Sequence, residues 1–408
     1  MATTTQDRIP TPIRKLDATL FGGRQINVGD IPMMDDPEIM SKIHDLFTEF
    51  QDELLAPGTI ARTMTNIPPM DITLDPLDTS PLPRAKVQRW TPMQEKVLNE
   101  YDEKMTAAGK LEPSISHTSA YPILVPKPDG TWRIVFNFLI NKRLIPYIGP
   151  LEPADKILQK AAQWSMLSLF DFALGYHQIP LNQAVRWLTA VVFPRGLRQY
   201  TDAPMGWKDS AEWLGYHLSL VFDDPDLRHH LSLFRDDGTL GNNGETIHQQ
   251  TLRHLELLRL MFSCVQRHNA TLSDKKSYFF VQRYSSLGYL IGQGEIIPEK
   301  EKIHAILNWA PATDQHKLRS FIGFVNFIQT SIPLIAEAIA PLTDLIAKQY
   351  ESKAAFGREW NSTDRYIRAF NDVKDRCSRI TSLRVFDTSR PLIIAGDACD
   401  YSIGSVAS

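Results

Sequence analysis

Two groups of aspartates in this sequence are spaced so that they could bind metal ions together. Asp171 follows the short apolar stretch 167–170, and Asp236 and Asp237 lie in a turn between two further apolar stretches. One carboxylate at a strand end and two at a hairpin tip can converge on Mg²⁺, which prefers hard oxygen ligands. Two such ions about 4 Å apart assist nucleotidyl transfer to a hydroxyl group. The spacing therefore favours a phosphoryl-transfer site.

Each of these signals also has a common structural explanation. Asp-Asp-Gly at 236–238 is an ordinary hairpin turn, and a single aspartate after a strand is usually a cap. A second pair, Asp223 and Asp224, precedes Pro225 and is predicted to lie in a surface loop. The carboxylates alone leave a metal site and a set of turns as alternatives.

The first part of the chain predicts one amphipathic helix behind a flexible segment. Residues 1–36 have no hydrophobic periodicity, and Asp36 and Pro37 form a helix-start signal. Six apolar residues then fall on one helical face. They are Ile39, Ile43, Leu46, Phe47, Phe50 and Leu54.

The segments that follow predict a mixture of helices and strands. Proline-rich residues 55–90 are predicted to form an extended connector, and a capping box predicts a helix over 91–109. Stretches 121–125 and 131–136 predict a hairpin, and 245–268 predicts a long helix. The arrangement predicts an α+β fold.

Composition fits a globular chain and excludes some functional classes. The net charge is −3, with 43% hydrophobic and 22% charged residues. The acidic excess lies in residues 1–84, and the remainder has a small excess of Lys and Arg that could line a groove for a phosphate backbone. Three widely spaced cysteines suit a reducing compartment. No signal peptide or membrane span is recognised, so an intracellular location without membrane contact is expected.

From about residue 85 onward the chain resembles the reverse transcriptases of Ty3/gypsy-type long-terminal-repeat retrotransposons, and more distantly those of retroviruses. The resemblance rests on motifs that occur in the family's order. They are K-x-D-G-x-W-R at 127–133, F-D-F-x-x-G-Y-H-Q-I at 170–179, P-M-G-W at 204–207, F-R-D-D at 234–237, L-S-D-K-K at 272–276, L-G-Y at 287–289, P-E-K-E-K-I at 298–303 and D-A-C-D at 397–400.

The resemblance implies a right-hand polymerase with fingers, palm and thumb, followed by a connection region and a truncated ribonuclease H-like strand. An acidic leader with one amphipathic helix would cover 1–84, and fingers and palm would cover 85–280. Thumb and connection would cover 281–385, and the start of ribonuclease H would cover 386–408.

The resemblance also implies the activity, that of an RNA-directed DNA polymerase. Asp171, Asp236 and Asp237 would hold two Mg²⁺ ions, with Mn²⁺ as a possible substitute. Lys276 would protonate the pyrophosphate leaving group. The expected partners are a primed RNA or DNA template and dNTPs, and self-association is left open.

Five residues would form the nucleotide pocket by the same resemblance. Lys127 and Arg133 would pair with the triphosphate, for which charge-assisted hydrogen bonds are strong. Tyr176 would lie under the sugar and exclude a 2′-hydroxyl. Met205 and Gly206 would shape the pocket and let the template backbone approach. Structural alternatives are a solvated hairpin for the first pair and a core position for the tyrosine.

Three further residues, Leu287, Gly288 and Tyr289, would hold the primer end. In the ribonuclease H-like segment Asp397 is the single site carboxylate present, so no ribonuclease H activity is expected. Its strand, predicted at 391–396, is expected to be an unpaired sheet edge.

Arg235 departs from the family pattern, which usually has an apolar residue there, and Asn137 replaces a common Asp. Three interpretations follow: a working polymerase, an inactive remnant that at most binds primer–template, and a protein-interaction scaffold. A salt-dependent affinity for an RNA–DNA hybrid would exclude the scaffold, because neutralising phosphates releases counterions.

Overall fold

The residues predicted to do catalytic chemistry lie in the larger of two units, which comprises residues 11–157 and 166–281. Residues 1–10, 158–165 and 282–408 form the other. The computed structural model describes residues 9–86, 88–127, 130–147, 149, 152–332, 334–380, 383–384, 394–399 and 402–407.

The larger unit is built on a six-stranded sheet and two smaller ones. Its strands are β1 (Ile13–Lys15), β2 (Asn27–Gly29), β3 (Leu111–Pro113), β4 (Tyr121–Pro126), β5 (Trp132–Asn137), β6 (Met166–Asp171), β7 (Val191–Phe193), β8 (Gly196–Tyr200), β9 (Leu231–Phe234), β10 (Asp237–Asn242) and β11 (Tyr278–Val281). The main sheet has the order β1-β2-β11-β6-β10-β9. Strands β3, β8 and β7 form a second sheet, and β4 and β5 form the predicted hairpin.

Six helices connect these strands. They are α1 (Pro37–Glu49), α2 (Pro92–Ala107), α3 (Ala154–Ala162), α4 (Ser210–Val221), α5 (Pro225–Arg228) and α6 (Ile247–Arg267). Helix α3 crosses from the larger unit into the other at Leu158. Helices α2 and α6 confirm the predictions for 91–109 and 245–268, including the reciprocal Thr91–Gln94 capping box.

Helix α1 packs on α6 through the predicted apolar face. The Asp36 carboxylate accepts a hydrogen bond from the backbone N–H of Glu38 at 2.9 Å, which starts the helix as predicted. The Phe47 ring lies 5.9 Å from Phe262 and 4.8 Å from Phe279, between centroids. Such edge-on aromatic contacts add to the stability gained by burial.

The prediction that residues 1–36 are flexible is wrong for residues 11–36. Strand β2 pairs in parallel with β11, with Asn27 opposite Tyr278. The buried Asn27 amide donates to the carbonyls of Asp274, at 3.2 Å, and Ser277, at 3.0 Å. Three-residue strands are too short to produce a recognisable alternation, which is why the pattern gave no signal. Residues 1–8 lie outside the described residues.

The smaller unit combines a four-stranded sheet with helices. Its elements are β12 (Tyr284–Ser286), β13 (Tyr289–Gly292), β14 (Glu295–Pro298), α7 (Lys300–Leu307), α8 (Gln315–Phe327), α9 (Ile335–Ala347), α10 (Lys353–Trp360), α11 (Asp364–Ser378), β15 (Leu383–Arg384), β16 (Ile394–Cys399) and β17 (Ser402–Ala407). Antiparallel pairing joins β12 to β15 in sequence order. Phe321 of α8 and Phe370 of α11 pack with ring centroids 4.5 Å apart.

The last two strands of the chain bear on the prediction of an unpaired strand at 391–396. Strand β16 pairs with β17, with Asp397 opposite Gly404, so this strand is not an unpaired edge. Residues 391–393 of the predicted strand lie outside the described residues. Within the part of the chain that the structure describes, every helix is too short or too polar to cross a lipid bilayer.

Candidate active site

The central strands of the main sheet bring the two groups of aspartates together. Strand β10 pairs antiparallel with β6, and Asp237 lies opposite Asp171 in that register. Strand β10 also pairs with β9, where Asp237 lies opposite Phe234. Arg235 and Asp236 therefore form the two-residue tip of the β9–β10 hairpin. The antiparallel pairing of β6 with β10 explains why carboxylates more than sixty positions apart in sequence lie at the same end of neighbouring strands.

The hairpin tip has a backbone conformation that suits glycine better than arginine. Arg235 has a φ of +57°, the left-handed region, at the first residue of the two-residue turn. Its guanidinium carbon lies 5.5 Å from the centre of the Phe234 ring. The Asp236 carbonyl accepts a hydrogen bond from the backbone N–H of Phe172 at 3.3 Å, which ties the tip to the end of β6. Arg235 itself is exposed.

Asp171 is mostly buried, and its nearest cation is Lys276. The Lys276 ammonium lies 3.2 and 3.1 Å from the two carboxylate oxygens, and 13% of the Asp171 side chain is exposed. Burial raises the pKa of Asp171 to about 6, against the opposing effect of Lys276, and the negative charges of Asp237 and Asp236 add to the rise. The three carboxylates are thus close enough to repel one another.

This donor set fits a hard divalent cation. Carboxylate repulsion of this kind is relieved by a cation, and the Lys276 ammonium already lies between both oxygens of Asp171. Among the residues described, no group of three or more His, Cys, Asp or Glu side chains has metal-binding geometry. Since Mg²⁺ keeps several water ligands, a pair of carboxylates is a sufficient protein contribution. Asp171 and Asp237, opposite each other in the register of β6 and β10, are the candidates for such a pair.

Tyr176 lies beside the hairpin tip in a short 3-10 turn, Gly175–Gln178. The turn approaches the tip closely, because a Cβ on Gly175 would lie 3.6 Å from the Asp236 Cβ and 3.2 Å from Leu214. Partial burial raises the pKa of Tyr176, and the negative charge of Asp236 adds to this while Arg235 opposes it. The predicted sugar-contacting phenol is therefore placed next to the predicted metal ligands.

Met205 and Gly206 form an exposed turn anchored to the chain that follows β5. Gly206 has a φ of +86°, and a Cβ there would lie 3.2 Å from the Phe136 carbonyl oxygen. The Gly206 carbonyl accepts a hydrogen bond from the Asn141 amide at 2.9 Å. Met205 remains 41% exposed and available for contact with a ligand.

Lys127 and Arg133 lie on the β4–β5 hairpin, where both side chains are exposed. Arg133 is opposite Val125 in the strand register, and the Lys127 backbone N–H donates to the Thr131 carbonyl at 2.8 Å. Pro128 and Asp129, between them in the sequence, lie outside the described residues. Among the described residues of the larger unit, no hydrogen bond or ion pair links the Lys127 or Arg133 side chain to Asp171, Asp236 or Asp237.

Leu287, Gly288 and Tyr289 belong to the smaller unit. Leu287 and Gly288 have φ values of +51° and +80° and form the tight turn between β12 and β13. The Tyr289 hydroxyl donates to the Phe327 carbonyl at 2.5 Å, and a Cβ on Gly288 would lie 2.8 Å from the Lys302 side chain. This turn is therefore held rigidly against helix α8.

Comparison with known proteins connects this geometry to a family. Residues 125–291 match the family described as reverse transcriptase (RNA-dependent DNA polymerase). This range contains all of the predicted site residues, from Lys127 to Tyr289. Over residues 125–291 the chain is thus similar to reverse transcriptases. The predicted resemblance to retrotransposon reverse transcriptases is thereby confirmed.

Proteins similar to this chain include polyproteins of fission yeast transposons. The Tf2-3 polyprotein of Schizosaccharomyces pombe is 24% identical over 334 residues, which is 82% of this chain and 23% of the polyprotein. The Tf2-7 polyprotein of the same organism is 23% identical over the same share of each chain. The chain thus spans about a quarter of the length of these curated relatives.

Solved structures confirm the predicted α+β right-hand polymerase fold. The foamy viral protease-reverse transcriptase in complex with dsDNA aligns with a TM-score of 0.76 at 20% identity, over 97% of this chain and 78% of that one. The same viral protein in complex with an RNA/DNA hybrid aligns with a TM-score of 0.70 at 19% identity, over 94% and 49%.

Sequence reasoning missed a buried polar cluster of the larger unit that contacts the turn carrying Tyr176. Lys110 and Asp202 form a fully buried ion pair, 2.7 Å between Nζ and Oδ2, and Thr63 donates to Asp202 at 3.0 Å. The three residues are far apart in the sequence and belong to no motif. No pattern in a single sequence could have joined them.

Proposed function

We propose that this chain is a retrotransposon-derived RNA-directed DNA polymerase, which transfers a nucleotide from a dNTP to a primer 3′-hydroxyl. The observation that carries the proposal is the register of β6 and β10, which sets Asp171 opposite Asp237 with Lys276 on the Asp171 carboxylate. The reverse transcriptase match over 125–291 supports it. Because its dNTP substrates are found inside cells, we expect the enzyme to act there.

The roles of the residues follow from their placement. Asp171, Asp236 and Asp237 would hold two Mg²⁺ ions, which supply activation of the primer hydroxyl and neutralisation of the triphosphate charge when bound. Mn²⁺ has the same preference for oxygen ligands and is the expected substitute. Lys276, 3.1 Å from Asp171, can give a proton to the departing pyrophosphate.

The nucleotide would be held by groups on three segments of the larger unit. Lys127 and Arg133 on the exposed hairpin would donate to the triphosphate. The half-buried Tyr176 ring would lie under the sugar and leave no space for a 2′-hydroxyl. Met205 and Gly206 would border the base. Leu287, Gly288 and Tyr289, in their rigid turn, would support the primer strand.

Primer extension tests the proposal directly. Wild-type protein should extend oligo(dT) on poly(rA) with dTTP and Mg²⁺ or Mn²⁺, whereas the Asp236→Asn/Asp237→Asn variant should not. The matched control is Asp223→Asn, which changes the exposed member of the Asp-Asp pair that precedes α5 and leaves the capping residue Asp224 in place. Equal activity in the hairpin variant, or equal loss in the control, would refute the proposed site.

One observation favours a second candidate, an inactive remnant that still binds primer–template. Arg235 brings a long cation to the hairpin tip in a left-handed conformation, where a side chain is strained. If the wild type binds a hybrid without extending it, Arg235→Val is the first reversion to test, because it restores the apolar residue of the family pattern. Arg235→Gly is the second variant to test, because glycine accepts this φ at no cost. Recovery of extension would identify the arginine as the inactivating change.

A further inference from the structure

The Lys110 ammonium is completely satisfied inside the larger unit. It lies 2.7 Å from an Asp202 carboxylate oxygen, 2.8 Å from the Thr63 hydroxyl and 2.7 Å from the His177 carbonyl oxygen. A lysine has three donors, and each has one acceptor here. The Lys110 and Asp202 side chains are each 2% exposed. The Thr63 hydroxyl closes the cluster by donating to Asp202 at 3.0 Å.

The cluster joins four segments, two of which carry residues of the proposed nucleotide pocket. His177 follows Tyr176 directly, and Asp202 lies three positions before Met205. Backbone hydrogen bonds join the same segments. The Ala203 N–H donates to the Ile179 carbonyl at 2.9 Å, and the Met64 N–H donates to the Gln178 carbonyl at 2.8 Å. The predicted connector, through Thr63, is therefore part of the support of the pocket.

Stability alone does not account for a buried pair of this kind. Removing two charges from water costs about as much as their attraction returns, so an apolar pair of similar volume is often as stable. What an apolar pair cannot do is hold the His177 carbonyl oxygen at one position. What the polar cluster specifically contributes is therefore a fixed position for the turn that carries Tyr176.

We propose that Lys110, held by Asp202 and Thr63, is a positioning residue that sets Tyr176 for discrimination between deoxy- and ribonucleotides. This inference rests on the proposed function. The Lys110 ammonium pulls the Gly175–Gln178 turn against the segment 201–203, so that the Tyr176 ring and the Met205–Gly206 turn keep a fixed separation. The cluster itself touches no substrate.

The test uses an apolar double variant, Lys110→Met/Asp202→Leu, in the full chain. We expect the KM for dTTP to rise and the preference for dTTP over UTP to fall, each about tenfold, because small misplacements of a contact have large kinetic effects. The kcat should change by less than about twofold, because the metal-binding carboxylates are untouched. Unchanged KM and sugar preference in a folded double variant would overturn the proposal.

The matched control removes another largely buried ion pair of the same unit. Arg198 and Asp102 join β8 to α2 at 3.0 Å, with 23% and 2% of their side chains exposed. Neither bonds to the Tyr176 turn or to residues 201–206. Arg198→Met/Asp102→Leu should leave KM and sugar preference at wild-type values. An equal change in this control would mean that losing any buried ion pair of the unit alters KM and sugar preference. That outcome would also overturn the proposal.

A second pair of variants covers the case in which the double variant does not fold. Thr63→Val removes the hydroxyl that accepts from Lys110, whereas Thr63→Ser keeps it. The valine variant should lose sugar preference in the same direction as the double variant, and the serine variant should restore it. Equal behaviour of the two would overturn the proposal.

Amide hydrogen exchange separates this inference from the proposed function. The His177 N–H donates to the Leu174 carbonyl at 2.7 Å, and the Ile179 N–H donates to the Tyr176 carbonyl at 3.0 Å. Both should exchange faster in Thr63→Val than in Thr63→Ser, whether or not the protein polymerises. Faster exchange in a protein without polymerase activity would support the positioning role and refute the proposed function. Equal exchange would refute the positioning role.

Discussion

Lys276 and Asp171 form an ion pair in which the ammonium lies almost equally far, 3.2 and 3.1 Å, from the two carboxylate oxygens. The lysine is more than half exposed, whereas the aspartate is 13% exposed. The exposed Lys276 ammonium thus contacts the largely buried Asp171 carboxylate. This arrangement suits a group that transfers a proton near the reacting phosphate.

Loss of the Lys276 amine should therefore slow the chemical step. We expect Lys276→Ala to lower kcat by about a hundredfold, in the range typical of general acid catalysis, with a smaller effect on KM. Single-turnover primer extension measures the step directly. The neighbouring exposed lysine gives the control, since Lys275→Ala should keep the wild-type rate. Equal rates for the two variants would remove Lys276 from the mechanism.

The absence of a side chain at residue 238 allows Phe170 to pack under the hairpin. A Cβ on Gly238 would lie 2.2 Å from the Phe170 ring, and Phe170 is fully buried. Gly238→Ala should reduce the free energy of unfolding by about 1–3 kcal/mol through overpacking, measured by urea denaturation. Gly323→Ala in helix α8, where no atom lies within 4 Å of the new Cβ, should instead leave stability unchanged or raise it. Recovery in Gly238→Ala/Phe170→Leu would confirm the clash as the cause.

The Asn27 amide is the polar link between the amino-terminal strands and the segment that carries Lys276. Asn27→Leu would leave the buried carbonyls of Asp274 and Ser277 without this donor. We expect a loss of about 1–3 kcal/mol in the free energy of unfolding, seen as a lower urea midpoint. The control is Asn361→Ala, whose amide donates to the Gly357 carbonyl at the surface and should cost far less. A wild-type midpoint for Asn27→Leu would contradict the assignment.

A buried histidine predicts how stability depends on pH. His254 lies between the Ser168 hydroxyl, at 2.7 Å from Nε2, and the Asn242 amide oxygen, at 2.6 Å from Nδ1. Burial lowers the pKa of His254 to about 3. Between the usual histidine pKa near 6.5 and this value the unfolded chain binds the proton and the folded chain does not, so stability falls as the pH falls.

The His254→Gln variant isolates this contribution. Glutamine can keep a donor and an acceptor in the same place but does not titrate. Urea unfolding at several values between pH 6 and pH 4 should show a shallower pH dependence than in the wild type, by up to about 1.4 kcal/mol per pH unit. Part of the slope should remain, because burial also lowers the pKa of His177 to about 4. An unchanged slope would show that His254 is protonated in the folded state.

The sequence predicted the local elements that carry the candidate site residues, and the reasons are visible in particular residues. Asp171 ends one short apolar strand and Asp237 begins another, and the two-residue turn before Asp237 fixes where β10 starts. Helix α1 was predicted from its cap and from the buried positions Ile39, Ile43 and Leu46. Such features depend on neighbours within a few positions, which a single sequence contains.

The parts that were missed depend on contacts between distant segments. Strand β2 is three residues long and pairs with β11, which lies at the other end of the larger unit in sequence. Lys110 reads as an ordinary lysine after a helix, and only the folded chain places Thr63, His177 and Asp202 around it. Likewise, nothing local shows that Arg235 would adopt a φ of +57°. These arrangements are fixed by packing of the whole unit, which local propensity does not encode.

The parallel pairing of β2 with β11 imposes an order on folding during synthesis. Residues 27–29 leave the ribosome early, but their partners at 278–281 are the last strand of the unit. At about 5–20 residues per second, the first segment waits on the order of 10–50 s for its neighbour. During that interval helix α1 exposes the apolar face that α6 later covers, so the nascent chain is a natural client for chaperones. Slowing translation before residue 278 should therefore increase aggregation more than slowing it afterwards.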